Sequence, residues 1–220
     1  MLENMIALFS KYHMVFFEGL KLTLILSALT VGFGTVCGAL VSLCKTSKFK
    51  PLSFLATAYI EVIRGTPLLL QVYVFYFFLP RALGFDPGKF PSILMALVVN
   101  SSAYISEIIR AGIQAVDKGQ TEAARSLGLN TNQTMTKIIL PQAFKNILPA
   151  LGNEFVMIIK ETSLASTFFL GELMSVSNII KSATYMPFEP YLIAAMFYFV
   201  CTFTLSKLMA FYERRLKASD

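Results

Sequence analysis

The chain contains a single histidine, His13, and three cysteines, Cys37, Cys44 and Cys201, with no CxxC pair among them. That scarcity excludes metal centres and nucleophilic sites assembled from His and Cys. All three thiols fall in apolar runs, where free and buried thiols are expected instead of a disulfide frame. No GxxxxGK[ST] stretch occurs, so the chain lacks a phosphate-cradling loop and is expected to bind no cofactor, neither ATP nor Mg. Charge is sparse as well: Asp, Glu, Lys and Arg make up 15% of 220 residues. The N-terminus shows no basic start, short apolar core and small-residue cleavage site, so it does not read as a removable signal peptide. Pore-filter repeats are missing too, which leaves nothing to support a passive channel.

What is plentiful is apolar. The sequence is 55% hydrophobic, holds 20 Phe and has a mean hydropathy of +0.64. These values belong to a membrane protein. The formal charge of +6 would suggest nucleic acid in a soluble protein. Here Lys and Arg lie between and beyond the apolar runs, so topology and lipid headgroups account for them and no nucleic-acid partner is expected.

A membrane-spanning helix needs about 20 mostly apolar residues. On that measure the chain predicts an all-α integral membrane fold with five transmembrane helices at about 14–44, 52–79, 91–114, 144–171 and 190–212. Residues 1–13 are expected to lie along the interface as a short amphipathic helix. The first span carries Gly34 and Gly38 at a GxxxG spacing, which fits either close helix approach or simple filler. Lys207 sits near one end of the fifth span, placed to snorkel. Basic residues cluster at 45–50, in the segment 115–145 (Lys118, Arg125, Lys137, Lys145) and in the tail (Arg214, Arg215, Lys217). The opposite loops, 80–90 and 172–189, are poorer in them. The positive-inside rule then puts the N-terminus outside and the C-terminus inside.

Charges inside the spans are costly and usually face protein or water. Glu61 with Arg64, and Glu107 with Arg110, stand three apart on helices and could form internal ion pairs. Span four differs. Glu154 lies six residues before Lys160, and Glu161 follows at once, so one acid has no local partner. Residues 160–163, Lys-Glu-Thr-Ser, read as a polar and unwound patch at mid-depth, with Thr162 and Ser163 free to bond backbone or ligand. Gly65-Thr66-Pro67 breaks span two in the same way. Two interrupted spans point to a substrate site, and Asn100, Ser101 and Ser102 add polar groups to span three. Spans two to four hold four Glu against Arg64, Arg110 and Lys160. That spare negative charge suits a cationic substrate, with Glu154 as the acid that meets it.

Between spans three and four lies a polar, helix-forming island, residues 122–141, EAARSLGLNTNQTMTKIILP. Thr121 is placed to cap a first short helix, and Glu122 suits the positive end of its dipole. Ala123 and Ala124 leave room for close approach. Gly128 fits the C-cap, Asn130 or Thr131 the next N-cap, and Pro141 is expected to limit the second helix. The pattern Glu-Ala-Ala, three residues, Gly, nine residues, Ile, one residue, Leu-Pro is filled by Glu122, Ala123, Ala124, Gly128, Ile138, Leu140 and Pro141. It resembles the cytoplasmic loop shared by the membrane subunits of bacterial ABC importers. Residues 59–70 (YIEVIRGTPLLL), 102–114 (SAYISEIIRAGIQ) and 148–166 (LPALGNEFVMIIKETSLAS) extend the likeness to the polar amino-acid group of ABC importer permeases.

The resemblance implies one permease domain over residues 1–220, with a cytoplasmic helical coupling loop at 117–141. It implies a second permease subunit, identical or homologous, two cytoplasmic ATPase subunits that carry the ATP and Mg, and an extracytoplasmic amino-acid-binding protein, all at the bacterial cytoplasmic membrane. It assigns ATPase coupling to Glu122, Ala123, Ala124, Arg125, Gly128 and Leu129. Substrate binding falls to Asn100, Ser101, Glu154, Glu161, Thr162 and Ser163. Basic L-amino acids such as arginine, lysine or histidine are favoured by charge, with glutamine and cystine as alternatives. An ion-coupled secondary transporter would explain the internal acids but leaves the 122–141 loop without a purpose. A membrane-embedded enzyme has no recognisable catalytic cluster to work with.

Overall fold

Inside a bilayer an apolar segment must satisfy its backbone polar groups internally, and helix is the form that does so along one chain. The computed structural model describes residues 1–217, and everything regular in it is helical. The last three residues of the 1–220 domain lie outside the described residues. In order, the elements are α1 (Leu2–Lys45), α2 (Lys50–Arg64), α3 (Leu68–Leu83), α4 (Lys89–Gln114), α5 (Lys118–Ser126), α6 (Thr131–Thr134), a π turn (Met135–Ile139), α7 (Leu140–Glu161), a 3-10 segment (Thr162–Phe168), α8 (Leu173–Thr184) and α9 (Glu189–Lys217).

Among the described residues three helices are long and apolar enough to cross a membrane by themselves: Leu2–Lys45, Lys89–Gln114 and Glu189–Arg215. Two more candidate spans are bent pairs. α2 and α3 meet at 106°, and Thr131–Phe168 meets α8 at 46°. The first break coincides with the interruption at Gly65-Thr66-Pro67, while the second falls at residues 169–172, beyond the polar patch at 160–163. The segment after span four, expected as an external loop, instead forms α8.

The separate interfacial helix expected at residues 1–13 does not form. Those residues continue α1 without a break, giving a 44-residue helix. The cause is tertiary. Leu8 and Phe16 are buried with Leu173, Val176 and Ile180 of α8 and Ile193 and Ala194 of α9, so the first turns belong to the bundle. A second apolar cluster, Leu26, Val72, Ile93, Ala96, Leu97, Ala165 and Phe168, joins α1, α3, α4 and the 3-10 segment.

Gly34 and Gly38 are where α1 approaches α4. A Cβ on Gly38 would stand 2.9 Å from the Ser102 carbonyl oxygen and 3.0 Å from Ile105, and one on Gly34 would stand 3.2 Å from Ser101. Gly32 faces open space. The GxxxG spacing thus serves close packing, not filler. Gly38→Leu should destabilise the protein by about 1–3 kcal/mol through overpacking, read as a lowered thermal midpoint in detergent. Gly32→Leu should leave that midpoint unchanged.

Two expectations about charge and thiols divide. Glu107 accepts from Arg110 Nη2 at 2.8 Å, as expected, and also from Lys45 Nζ at 2.7 Å, which fastens the end of α1 to α4. Among the described residues Glu61 and Arg64 do not pair. Arg64 is the last residue of α2, and its guanidinium turns over the Tyr104 ring of α4 at 5.2 Å. The cysteines are free but not buried: Cys37 is exposed, and Cys44 and Cys201 are partly so. They lie on outward faces of long apolar helices, where a small soft side chain meets an apolar surround without needing a core.

Candidate functional site

A polar seam runs through the bundle, and three consecutive residues of α4 organise it. Asn100 Nδ2 donates to Gln71 Oε1 of α3 at 2.9 Å. Ser101 Oγ donates to Glu154 Oε1 of α7 at 2.9 Å. Ser102 Oγ lies 2.7 Å from the Tyr59 hydroxyl of α2. Successive helical residues point about 100° apart, so this triplet reaches three neighbouring elements at one level. Ser101 fits there because Gly34 lets α1 come within contact distance of it.

Gln71 is a site residue that sequence reasoning missed. Its side-chain amide donates to the Ile63 carbonyl at 2.7 Å, the Thr66 carbonyl at 3.2 Å and Thr66 Oγ1 at 2.9 Å. Pro67 has no N–H, so the carbonyls at the end of α2 lose their helical donors. One buried glutamine replaces them and fixes the 106° elbow. The available signal was a lone amide in the apolar run LLLQVYV, just after a proline break.

Glu154 is buried at 6% exposure, and among the described residues it has no cationic partner. Its recorded hydrogen bond comes from a neutral hydroxyl. Glu161 stands seven residues on, on the same face of α7 by helical geometry, and is half-buried. Thr162 and Ser163 are placed differently. Their hydroxyls donate to Ile159 and Lys160 carbonyls at 2.7 and 2.6 Å, and Thr162 is fully buried. Here the chain tightens from α to 3-10 geometry, so the patch expected to be unwound is overwound instead. The seam therefore joins Ser101 to Glu154 and, from the adjacent position on α4, Asn100 to Gln71, while Thr162 and Ser163 close the end of a helix. Another buried carboxylate, Glu172, caps α8: it accepts from the Met174 and Ser175 amides at 2.6 and 2.8 Å and from Ser175 Oγ at 2.6 Å. Capping accounts for its burial.

The second candidate surface is the elbow between α5 and α6. α5 starts three residues before Thr121, and its cap is Asp117, whose carboxylate accepts from the Gly119 amide at 2.7 Å. Thr121 is consequently inside the helix. The C-terminus forms as expected. Gly128 has φ +84°, its amide donates to Arg125, and the Leu129 amide donates back to Ala124. Those two bonds make a complete Schellman closure. Asn130 then caps α6 in a reciprocal capping box with Gln133, both bonds 2.9 Å.

Pro141 does not end the second helix. Its missing N–H and its ring's clash with the carbonyl four residues back are absorbed by the π turn Met135–Ile139, and the helix runs on into α7. On the elbow, Glu122, Ala123, Arg125 and Gly128 are exposed and Leu129 is half-exposed. Ala124 is buried where α5 packs against α6 and the π turn, so it holds the elbow together. Leu127, 84% exposed at the tip, is the residue the sequence pattern passed over.

A helical membrane bundle with a carboxylate inside it and a rigid polar elbow outside it defines a permease-type transport subunit. Residues 31–218 match the family of binding-protein-dependent transport system inner membrane components, and the chain belongs to that family. It is thus a multi-pass inner-membrane component of an ABC transport system. It carries no ATPase domain, and its class works with ATPase and binding-protein partners. An ion-coupled carrier and a membrane enzyme are both set aside by that membership.

Over 203 residues the chain is 44% identical to the arginine transport system permease protein ArtQ of Bacillus subtilis (strain 168), covering 92% of this chain and 93% of that one. It is 42% identical over 216 residues to a probable glutamine ABC transporter permease protein, GlnM, of the same organism, covering 98% and 99%. Among solved structures, an amino acid ABC transporter with histidines shares 50% identity and a TM-score of 0.90 over 94% of this chain and 96% of that one. An inward-facing MetNI methionine ABC transporter superposes with a TM-score of 0.73 at 17% identity, over 96% of this chain and 98% of that one, and so shares the fold.

Proposed function

We propose that this chain is the permease subunit of an ATP-driven importer of polar L-amino acids, with basic ones such as arginine, lysine or histidine as cargo. The observation that carries the reading is Glu154, an acid buried in the membrane bundle with a hydroxyl for its partner and, among the described residues, no cation beside it. A buried carboxylate without a counter-ion is unfavourable until a cation arrives, so the substrate's own positive side chain completes the site. Asn100 and Ser101 orient the seam, and Glu161 offers a second acid on the same face of α7.

A second permease subunit stands beside this one, the N-terminus lies outside and the C-terminus inside. ATP and Mg sit on the partner ATPases. Their closure draws together the docked elbows, through Glu122, Ala123, Arg125, Gly128 and Leu129, with Ala124 stiffening the joint. The site is thereby switched from outward-facing to inward-facing.

Glutamine is the second reading, favoured by the buried Gln71–Asn100 amide pair and by the likeness to a probable glutamine permease. A thermal-shift screen of the purified complex against single amino acids separates the two. Arginine, lysine or histidine should raise the midpoint by several degrees at saturating ligand, through binding to the native state alone. A shift with glutamine and none with the basic amino acids would overturn the first reading.

A further inference from the structure

Every L-amino acid carries an α-carboxylate, whatever its side chain. An anion entering an apolar bundle needs charged donors there as much as a cation needs an acid. Arg110 is spent on Glu107 and Gln114, at 2.8 and 2.6 Å, and Lys45 on Glu107. Lys160 is exposed and lies on a different side of α7 from Glu154. Arg64 is different. Among the described residues no hydrogen bond uses its guanidinium donors, and the group is held over the Tyr104 ring at 5.2 Å. Arg64 continues the row of Ala56 and Ile60, which are buried in the bundle. That row faces inward, yet Arg64 itself is exposed. A charge within an apolar span does not stay against lipid, so its exposure is to an opening beside α4.

The position of Arg64 relative to Glu154 is fixed in two ways. The Ile63 and Thr66 carbonyls, on either side of Arg64, accept from the Gln71 amide, whose oxygen accepts from Asn100. Ser101, the next residue of α4, donates to Glu154. Tyr104 stands four residues from Asn100 and three from Ser101. The ring under Arg64 is therefore the helical neighbour of both, at about 5–6 Å between Cβ atoms. We propose that Arg64 receives the α-carboxylate of the transported amino acid, while Glu154 takes the cationic side chain. A planar guanidinium offers two parallel N–H donors to a carboxylate, and the Tyr104 face holds that plane without consuming them. The inference rests on the proposed reading of the chain as an amino-acid permease, and it adds the end of the cargo that all amino acids share.

The probes are L-arginine and agmatine, the same molecule without its carboxylate. Binding of each to the purified permease–ATPase complex, without binding protein, is measured by titration calorimetry. The wild type should prefer arginine. Arg64→Gln should weaken arginine by about tenfold to a hundredfold, the range of a hydrogen bond to a charged group. Agmatine should bind as tightly as before or more tightly, because it meets one cation fewer, and it thereby reports that the variant is folded. Arg64→Lys keeps the charge but loses the paired donors, so its arginine affinity should fall between the two. Equal binding of arginine and agmatine by the wild type would overturn the assignment. So would a loss in Arg64→Gln shared equally by both probes, or no loss for arginine.

The same design separates this assignment from the choice of cargo. If glutamine binds and arginine does not, the basic reading falls. Arg64→Gln should then still weaken glutamine and spare its decarboxylated counterpart, 4-aminobutanamide. A complex that binds no amino acid would remove the cargo reading and this assignment together.

Discussion

Glu154→Gln should cut arginine uptake into proteoliposomes by about tenfold to a hundredfold, a loss of roughly 1.4–2.7 kcal/mol. The carboxylate is buried, and its hydrogen bond comes from Ser101 at 2.9 Å. A charge in that setting is felt by a bound cation far more than it would be in water. Glutamine has the same shape, and its carbonyl still accepts from Ser101, so the contact between α4 and α7 survives and the complex should stay folded. Uptake of neutral glutamine, where it occurs, should change little. That asymmetry makes the experiment decisive, because a merely damaged protein would lose both. Arginine uptake at the wild-type rate would remove Glu154 from the cargo contact.

Gly128→Val should separate ATP hydrolysis from transport. Gly128 has φ +84° with nothing near its missing Cβ, so crowding is not the obstacle. Backbone conformation is: a left-handed residue with a side chain costs about 1–2 kcal/mol, and a β-branched one fits poorly. The elbow would relax, the Schellman closure that sets the angle between α5 and α6 would open, and the exposed Leu127 would move from the tip. ATPase activity of the assembled complex should persist while uptake falls about tenfold, because a docking contact worth ~1.4 kcal/mol is a factor of ten. The check is the number of ATP molecules hydrolysed per amino acid imported. A ratio equal to that of the wild type would show that the elbow does not couple the two.

The break at Gly65-Thr66-Pro67 was legible because proline interrupts a helix by local chemistry, whereas at Lys160–Ser163 the chain passes from α to 3-10 geometry and the bend comes later, at residues 169–172. The closure at Gly128 was legible for the same local reason, and the next cap was narrowed to Asn130 or Thr131, of which the structure uses Asn130 with Gln133 as its reciprocal partner. What escaped depended on partners distant in sequence. Residues 1–13 have little of their own to distinguish an interfacial helix from a continuation of α1, and α8 and α9 decide the matter. Lys45 finds Glu107 from 62 residues away. Arg64 prefers the Tyr104 ring to the nearby Glu61, a choice set by how α2 lies on α4. Gln71 is visible as a lone amide, but its five-atom reach back across the elbow appears only once the chain has turned. Pro141 was misjudged because a π turn is a cooperative remedy that no single residue announces.

The continuity of that helix has a mechanical consequence. From the cap at Asn130 to Glu154 the helical chain is unbroken, a rod of roughly 36 Å at 1.5 Å per residue. Swinging such a rod by about 5° about its capped end displaces the far carboxylate by ~3 Å, about the length of one hydrogen bond. A small rotation at the surface is therefore enough to pull the Glu154 carboxylate off the Ser101 hydroxyl, with no side chain in between needing to change its rotamer. The π turn near the pivot and Pro149 inside α7 are the two places where the regular hydrogen-bond ladder is interrupted, and they set how much of the stroke arrives.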